Sequence, residues 1–314
     1  MRRGGARTAT RAALVAAVAL TGLLVAGCSG NAGPQPPPES PRRPLITVVS
    51  FDFPESETLA EIYGQALRRQ GYPAEVVARL GPREIVEAAL EQGRADFVPG
   101  YLGSGLNYMS EKRVATADPR VVHAQLQRAL DARGLDALAF ASAQDRNGFV
   151  VTGDMARTRR LRSLSDLRPI ASQLVFGGPP ECPDRLLCLI GLRDVYGLKF
   201  KRFEAMPSRT VTAGALEAGE IDVGMIETTN GNLANGDLVQ LEDDRRLQPA
   251  ENVVPIVRKA IIAAYGSALV RLVNAVTAQL TTRDLIDMNQ RVEVDQADPA
   301  AVAADWLRSH PVNR

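Results

Sequence analysis

Histidine, cysteine and tryptophan are scarce in this chain of 314 residues, which has two His, three Cys and one Trp. Zinc is held mainly by Cys and His, and many nucleophilic enzymes pair a Ser or Cys with a His. The chain has no GxSxG motif and no cluster of His, and His123 falls on a predicted helix. We therefore expect no metal, no cofactor and no enzymatic activity.

A surplus of charge of either sign is also absent. The chain has 37 Lys and Arg against 36 Asp and Glu, a formal charge of +1. Residues 1–27 contain four Arg and no acid, so the remainder has 33 basic and 36 acidic residues and a net charge of about −3. Nucleic-acid-binding proteins carry basic patches, and we expect no nucleic-acid partner here.

No apolar run is long enough to cross a membrane, which takes about 20 residues. A mostly apolar stretch from Ala12 to Leu24 follows four Arg and precedes VAGC, which ends at Cys28 and resembles a bacterial lipobox. We predict a signal peptide at 1–27, a lipid on Cys28, and a Pro-rich tether at 28–44 before the folded part. The alternative is an ordinary secretory signal with an incidental Cys.

The other two cysteines are Cys182 and Cys188. Disulfide bonds form and persist in exported proteins, so we predict that these two are bonded to each other. Free thiols and a metal site are the alternatives, and the metal site lacks further Cys or His ligands.

Predicted strands and helices alternate along the chain. ITVVSF, AEVVARL and ADFVPGY have the pattern of strands, and SETLAEIYGQALRRQG and GPREIVEAALEQG have the spacing of amphipathic helices. The alternation continues through a helix after Pro119, strands at DALAFA, GFVVTG and QLVFGG, and a helix that reaches Tyr196. The fold class is therefore α/β, with mainly parallel sheets between layers of helices.

One sequence phrase occurs twice. ALEQGRAD begins at Ala89 and ALEAGEID begins at Ala215, 126 positions later. In both copies a helix ends at Gly, a short step leads to Asp96 or Asp222, and an apolar strand follows. The repeat predicts two lobes of like topology, although chance similarity of a common helix-Gly-strand phrase is an alternative.

The two copies diverge five residues after the Asp, at Tyr101 and Glu227. In open α/β sheets, ligands bind beyond the carboxyl ends of the strands. We therefore expect both residues to face a cleft between the lobes, where their difference reflects the chemistry of a ligand.

Several longer stretches resemble a known family. They are SFDFPESETLAEIYGQAL, LGPREIVEAALEQGRADFVPGYLGSGL, DVYGLKF, ALEAGEIDVGMIETTNG and LVQLEDDRRLQPAENVVPIVR. In this order they are similar to the glycine betaine/choline-binding proteins of osmoprotectant ABC importers, the ProX/OpuAC-like family. The resemblance covers Leu45 to Leu307 and implies a two-lobed periplasmic-binding-protein fold of type II.

The resemblance also implies how the chain is divided. A type II fold crosses between its lobes twice, and we place the two hinge crossings near residues 144–147 and 250–253. The helical tail from Tyr265 to Leu307 should return to cover the first lobe. The expected boundaries are 45–145 and 253–314 for lobe I, and 146–252 for lobe II.

The family surrounds a quaternary ammonium with aromatic faces and meets the ligand's carboxylate with Arg and hydroxyl groups. The resemblance makes Tyr101 a cage wall, Ser104 a carboxylate contact and Arg185 the anion clamp. Asn147 and Phe149 correspond to a family phrase at the first crossing, where Phe149 offers an aromatic face. The alternatives are a packed rim position for Tyr101, a surface position for Arg185 and a core position for Phe149.

Other positions depart from the family pattern. Glu227 stands before Thr228, Thr229 and Asn230 where many members have an aromatic residue, and Glu251 stands where Tyr is frequent. We include all five among the predicted ligand-binding residues, although the two Glu could be solvated hinge charges. We expect a solute whose cationic end is less methylated than glycine betaine, or bulkier; a choline-like solute with Glu227 as counter-charge is the alternative.

The sequence therefore predicts an extracytoplasmic, lipid-anchored and monomeric solute-binding protein. It should close around a small cationic or zwitterionic solute, such as a quaternary-ammonium osmolyte, and deliver it to the membrane permease of an ABC importer. A sensor that only binds a small amine or amino-acid-like solute is the alternative.

Overall fold

The computed structural model describes residues 43–110 and 114–312. Residues 1–42, which contain Cys28 and the predicted signal peptide, lie outside the described residues. The described strands are β1 (Ile46–Phe51), β2 (Ala74–Gly81), β3 (Phe97–Tyr101), β4 (Leu135–Ala137), β5 (Asn147–Thr152), β6 (Val175–Gly178), β7 (Arg202–Ala205), β8 (Val223–Glu227), β9 (Leu238–Leu241) and β10 (Val253–Arg258).

Helices fill most of the connections between these strands and form the C-terminal part of the chain. The described α-helices are α1 (Pro54–Arg69), α2 (Arg83–Glu91), α3 (Leu102–Met109), α4 (Pro119–Asp131), α5 (Gly153–Arg159), α6 (Leu189–Tyr196), α7 (Arg209–Glu217), α8 (Lys259–Tyr265), α9 (Ser267–Thr277), α10 (Thr282–Asn289) and α11 (Pro299–Ser309). A π-helical turn, Gln290–Val294, follows α10 directly.

The strands form two sheets with the same internal order. The first sheet has the order β2-β1-β3-β10-β4, and the second has the order β7-β6-β8-β5-β9. We call the first sheet with its helices lobe I and the second lobe II. The prediction of two lobes of like topology is therefore confirmed, and β3 and β8, which follow the two copies of the repeated phrase, occupy equivalent positions.

The expectation of mainly parallel sheets needs a correction. In lobe I, β1 is parallel to β2 and β3, but β10 is antiparallel to both of its neighbours. In lobe II, β6 is parallel to β7 and β8, and β5 is antiparallel to both of its neighbours. The antiparallel strand in each sheet is the one that the chain enters directly from the other lobe.

The two segments that connect the lobes run antiparallel to each other. Gln144 and Asn252 form an isolated bridge. The Asp145 N–H donates to the Glu251 carbonyl at 3.0 Å. Thr228, at the end of β8, accepts a hydrogen bond from the Gln144–Arg146 segment at its Oγ1 (Arg146 N, 3.0 Å). These bonds form the hinge between the lobes.

The repeated phrase has the same structural role in both lobes. Asp96 accepts the Thr47 N–H at its Oδ2 (3.0 Å) and donates its own N–H to the Thr47 carbonyl (2.9 Å). Asp222 makes the equivalent pair of bonds with Val175 at 2.7 and 2.9 Å. The shared residues therefore fix the helix end and the strand start, because the Asp carboxylate satisfies a backbone donor of the neighbouring strand.

Each lobe has its own core, and the core of lobe I contains residues from both ends of the described chain. α11 packs on α1, and the Tyr63 hydroxyl is 2.8 Å from Thr277 Oγ1 in α9. The described part of the tail therefore packs on lobe I. No single described helix is long and apolar enough to span a membrane; α8 and α9 together satisfy that test of length and composition but are bent by 112°.

Cys182 and Cys188 are joined by a disulfide bond, with their Cα atoms 5.3 Å apart. Both residues are buried in the core of lobe II. The bond closes a short loop immediately before α6, and this loop brings Leu187 to the cleft.

Candidate functional site

A cavity of about 740 Å³ lies between the lobes, beside the hinge. We call it the first cavity. Residues at the carboxyl ends of β1, β3 and β8 line it together with residues of both crossing segments. The topology produces this arrangement because the equivalent strands of the two sheets end at the cleft, as expected for an open α/β fold.

Three aromatic rings of lobe I form one wall of the first cavity. Phe51 ends β1 and Phe53 lies two residues further, just before α1; their ring centroids are 6.0 Å apart and their planes nearly parallel. The Phe53 ring is 6.2 Å from the ring of Tyr101, which ends β3. Phe53 is 36% exposed, so its face is accessible from the cleft, whereas Phe51 and Tyr101 are buried.

Hydrogen bonds hold the Tyr101 ring in position. Its hydroxyl donates to Glu55 Oε1 at 2.5 Å, and Asn289 Nδ2 donates to Glu55 Oε2 at 2.7 Å. Burial raises the pKa of Glu55, although these bonds lower it, and burial raises the pKa of Tyr101 well above its usual value. The phenol therefore stays protonated and fixed against a buried carboxyl group.

Asp145 lies in the first crossing segment and lines the first cavity. Its Oδ1 atom is buried and has no hydrogen-bond partner among the described residues. Burial, followed by the nearby Glu55 and Glu227, raises the pKa of Asp145 well above its usual value. A carboxyl group in this state gains from the arrival of a cation, which stabilises its charged form.

Arg83 is the first residue of α2 and contacts the same aromatic wall. Its guanidinium carbon is 4.7 Å from the centroid of the Phe51 ring, and its Nη2 donates to Ser104 Oγ at 2.8 Å. A guanidinium stacked on an aromatic ring and bonded to a hydroxyl keeps a fixed orientation. Arg83 and Ser104 both line the first cavity and can meet an anionic group there.

Glu251 lies in the second crossing segment, and its carboxylate contacts the first turn of α3. Its Oε2 accepts the Ser104 N–H at 3.0 Å, and a Cβ at Gly103 would lie 2.8 Å from its Oε1. Glycine is therefore needed at position 103 for this close approach. Burial raises the pKa of Glu251 to about 7, although the Ser104 N–H and the Arg83 guanidinium lower it.

A second cavity, of about 400 Å³, adjoins the first. The two cavities share Phe53, Asp145 and Glu227 as lining residues. Arg209, at the start of α7, donates from Nε to Glu227 Oε1 at 2.6 Å and from Nη1 to the Met225 carbonyl at 3.1 Å. Glu227 is therefore paired within lobe II and is not a bare counter-charge.

The structure brings most of the predicted ligand-binding residues to the two cavities. Those that line the first cavity are Tyr101, Ser104, Asn147, Glu227 and Glu251. Thr229 and Asn230 line the second cavity together with Glu227. Thr228 is buried in the hinge and lines neither cavity.

Two predicted residues lie elsewhere and are corrections. Phe149 is 1% exposed and packs in the core of lobe II, with its ring 6.2 Å from that of Phe176. Its strand β5 is covered on both sides, so the ring faces the core. Arg185 is exposed within the disulfide loop and lines neither cavity. Its neighbour Leu187 occupies the cleft.

Sequence reasoning missed several residues of the site. Arg83 and Arg209 are separated by 126 positions, the spacing of the repeated phrase, so an extension of that comparison towards the N-terminus would have found both. Phe53 stands just beyond the end of a predicted strand, where ligand-binding residues are expected. Asp145 and Asn289 have no comparable signal in the sequence.

A scan against protein families gives the match that decides the family. Residues 44–309 match the substrate-binding domain of ABC-type glycine betaine transport systems, the OpuAC family. The chain belongs to this family. The resemblance drawn from the sequence motifs is thus confirmed for nearly the whole described chain.

Individual OpuAC-family relatives and structures agree with this assignment. The glycine-betaine-binding protein of Pseudomonas aeruginosa is 31% identical over 274 residues, which are 82% of this chain and 85% of the relative. The glycine betaine-binding protein YehZ of Escherichia coli is 24% identical over 265 residues, 81% of this chain and 87% of the relative. A crystal structure described as a glycine betaine/carnitine/choline ABC transporter has a TM-score of 0.79 at 21% identity, covering 84% of this chain and 98% of its own.

These comparisons confirm the two-lobed α/β fold of periplasmic binding proteins. They also confirm that the chain is a substrate-binding protein of an ABC importer. The family and the P. aeruginosa relative are described as binding components of transport and not as enzymes.

Proposed function

We propose that this OpuAC-family protein binds a small solute with a quaternary ammonium group in the first cavity and delivers it to a membrane permease. The aromatic wall of Phe53 and Tyr101 beside the unpartnered carboxyl oxygen of Asp145 is the observation that carries this proposal. The names of the relatives, which include glycine betaine and carnitine binding proteins, agree with it.

The physical reason is that a fully methylated cation cannot donate a hydrogen bond. A quaternary ammonium has no N–H donor, so a protein holds it through aromatic faces and a counter-charge. Phe53 and Tyr101 offer the faces, and Asp145 offers the charge once the bound cation favours its ionised form. Arg83 and Ser104 are available for a carboxylate or hydroxyl group at the other end of the solute.

The expectation of a less methylated cationic end rested on an aromatic cage reduced to Tyr101 and Phe149. Phe149 lies in the core, but Phe51 and Phe53 add aromatic surface that the sequence argument omitted. Glu227 is paired with Arg209. Our proposal is therefore a fully methylated ammonium in the first cavity.

Substitutions at Phe53 test this proposal by isothermal titration calorimetry with choline, glycine betaine and carnitine. Phe53→Leu keeps apolar bulk but removes the ring, so we expect at least one of these solutes to bind and its affinity to fall by about 1 to 2 kcal/mol. Phe53→Tyr, which keeps the ring, is the matched control and should bind within about 0.5 kcal/mol of the wild type. Equal affinity in the Leu variant, or no binding of any of the three by the wild type, contradicts the proposal.

We further propose an extracytoplasmic monomer that is anchored to the membrane by a lipid on Cys28, because VAGC resembles a lipobox after a signal-like segment. Cys28→Ser should move the protein from the membrane fraction to the soluble fraction. Membrane association that is unchanged in this variant contradicts the anchor and leaves the binding proposal unaffected.

A further inference from the structure

The second cavity differs in chemistry from the first. Among the described residues, its lining has one aromatic residue, Phe53, and one cationic residue, Arg209, together with four acidic residues: Glu55, Asp145, Glu227 and Glu293. Arg209 already bonds Glu227 and the Met225 carbonyl. The described lining of the second cavity therefore has more carboxyl groups than cationic groups, and a bound cation would favour their ionised forms.

Asn289 gives an independent indication of what the second cavity lacks. It is 3% exposed and lines this cavity. Its Nδ2 donates to Glu55 Oε2 at 2.7 Å and to the Thr229 carbonyl at 2.9 Å, so the orientation of the amide is fixed by two acceptors. Its Oδ1 is buried without a hydrogen-bond partner among the described residues. A buried oxygen in this state is unfavourable unless a donor reaches it.

Asp145 repeats this pattern at the boundary between the cavities. Its Oδ1 is also a buried acceptor without a described partner. Glu293, in the π-helical turn, also lines the cavity, but it is exposed and water can reach its carboxylate. Partial burial, with the nearby Glu55 and Glu227, raises the pKa of Glu293. The buried oxygens of Asn289 and Asp145 therefore need hydrogen-bond donors, and a trimethylammonium has none.

We propose that the second cavity binds a positively charged N–H donor group, such as a primary or secondary ammonium, a guanidinium or an imidazolium, on the same solute. The solute then has two cationic ends: a methylated one against Phe53 and Tyr101, and a donor-bearing one near Asn289 and Glu293. This inference rests on the proposed function for the first end only. The volume of about 400 Å³ is within the range of small-molecule sites.

Two probes with the same number of heavy atoms test the inference by calorimetry. They are (3-aminopropyl)trimethylammonium and butyltrimethylammonium, which differ only in a terminal ammonium or methyl group. We expect the amino probe to bind at least about tenfold more tightly, because charge-assisted hydrogen bonds to carboxylates are strong. We also expect it to release more protons, since a cation favours the ionised form of the carboxyl groups around it.

Two charge-removing variants separate a specific site from general attraction to an acidic cleft. Glu293→Gln acts in the second cavity and should lower the preference for the amino probe at least about fivefold. Asp52→Asn removes one charge at the first cavity only, so it should change both affinities by a similar factor. Thermal unfolding of both variants verifies that they are folded.

Other results overturn the inference. Equal or tighter binding of butyltrimethylammonium contradicts it, and so does an equal loss of preference in both variants. If the wild type binds neither probe, the inference is also wrong, and choline, which lacks an N–H donor, then reports separately on the proposed function. Choline binding with no preference between the probes leaves the proposed function intact and rejects the second subsite.

Discussion

At the scale of single residues, Glu251 shows how the environment sets the properties of a carboxyl group. The sequence offered two interpretations, a ligand contact or a solvated hinge charge. In the structure Glu251 lines the first cavity and also accepts the Ser104 N–H in the first turn of α3. Its desolvation is only partly offset by that bond and by Arg83, and its pKa is raised to about 7.

This raised pKa predicts a dependence of stability on pH. Because the folded-state pKa of Glu251 lies above the ordinary value of 4.5, its stabilising contribution is complete at low pH and is lost as pH rises through about 7. Glu251→Gln should remove this dependence, so the free energy of unfolding of the variant relative to wild type should rise by about 1 to 3 kcal/mol from pH 5 to pH 8.

Chemical denaturation across this pH range measures the effect. Glu220→Gln, at an exposed position, is the control for the loss of one negative charge. Glu55 and Asp145 also have raised pKa values, so the comparison is between variant and wild type and not between pH values alone. A constant difference between Glu251→Gln and wild type at all pH values contradicts the prediction.

At the scale of secondary-structure elements, the repeated phrase specifies how a helix is followed by a strand. Gly93 and Gly219 have φ values of +71° and +72°, and they end α2 and α7 in the left-handed conformation that favours glycine. The Asp that follows each Gly then bonds a neighbouring strand of its own sheet, β1 for Asp96 and β6 for Asp222. The repeat is thus a structural device, and only the residues after it differ for ligand binding.

The two Asp residues should nevertheless differ in their contribution to stability. Both accept a strand N–H, but Asp96 also accepts Arg258 Nη1 at 2.8 Å. Asp222→Ala leaves one buried donor without a partner, which costs about 1 to 3 kcal/mol. Asp96→Ala leaves both the Thr47 N–H and the half-buried Arg258 without this partner, so it should lower the free energy of unfolding by about 1 kcal/mol more. Urea denaturation checks the order; a larger loss in Asp222→Ala contradicts it.

At the scale of the whole molecule, the C-terminal tail connects the two lobes away from the crossing segments. Asn289 bonds Glu55 of lobe I and the Thr229 carbonyl of lobe II. Next to it, a Cβ at Gly231 of lobe II would lie 2.7 Å from the backbone nitrogen of Gln290. The absence of a side chain at Gly231 permits this close contact between the lobes.

Gly231→Ala should therefore force the lobes apart at this contact or strain the π-helical turn. We expect a loss of about 1 to 3 kcal/mol in the free energy of unfolding, the usual cost of overpacking. Gly214→Ala is the matched control, because a Cβ there meets no atom within 4 Å in a helix, and it should be neutral or stabilising by up to about 1 kcal/mol. Thermal unfolding compares the two, and equal stability of both variants contradicts the prediction.

The sequence by itself determined the local structure and the family of this protein. Apolar periodicity and the Gly and Pro positions predicted β1, α1, α2 and β3, and the ordered motifs gave the type II fold that the comparisons confirm. The 126-residue repeat gave two lobes of like topology and placed Tyr101 and Glu227 at a cleft. These features could be predicted because each depends on residues that are close together in the chain.

Only the tertiary structure decided which side chains meet in the cleft. In β5 both faces are buried, so the alternation along the strand could not tell that Phe149 faces the core. The arginine beside the aromatic wall is Arg83 and not Arg185, because α2 starts next to β1 and α3 whereas the disulfide loop brings Leu187 to the cleft. Asn289 reaches Glu55 across 234 positions of sequence. Such contacts depend on how the lobes and the tail pack against each other, which no local pattern of residues encodes.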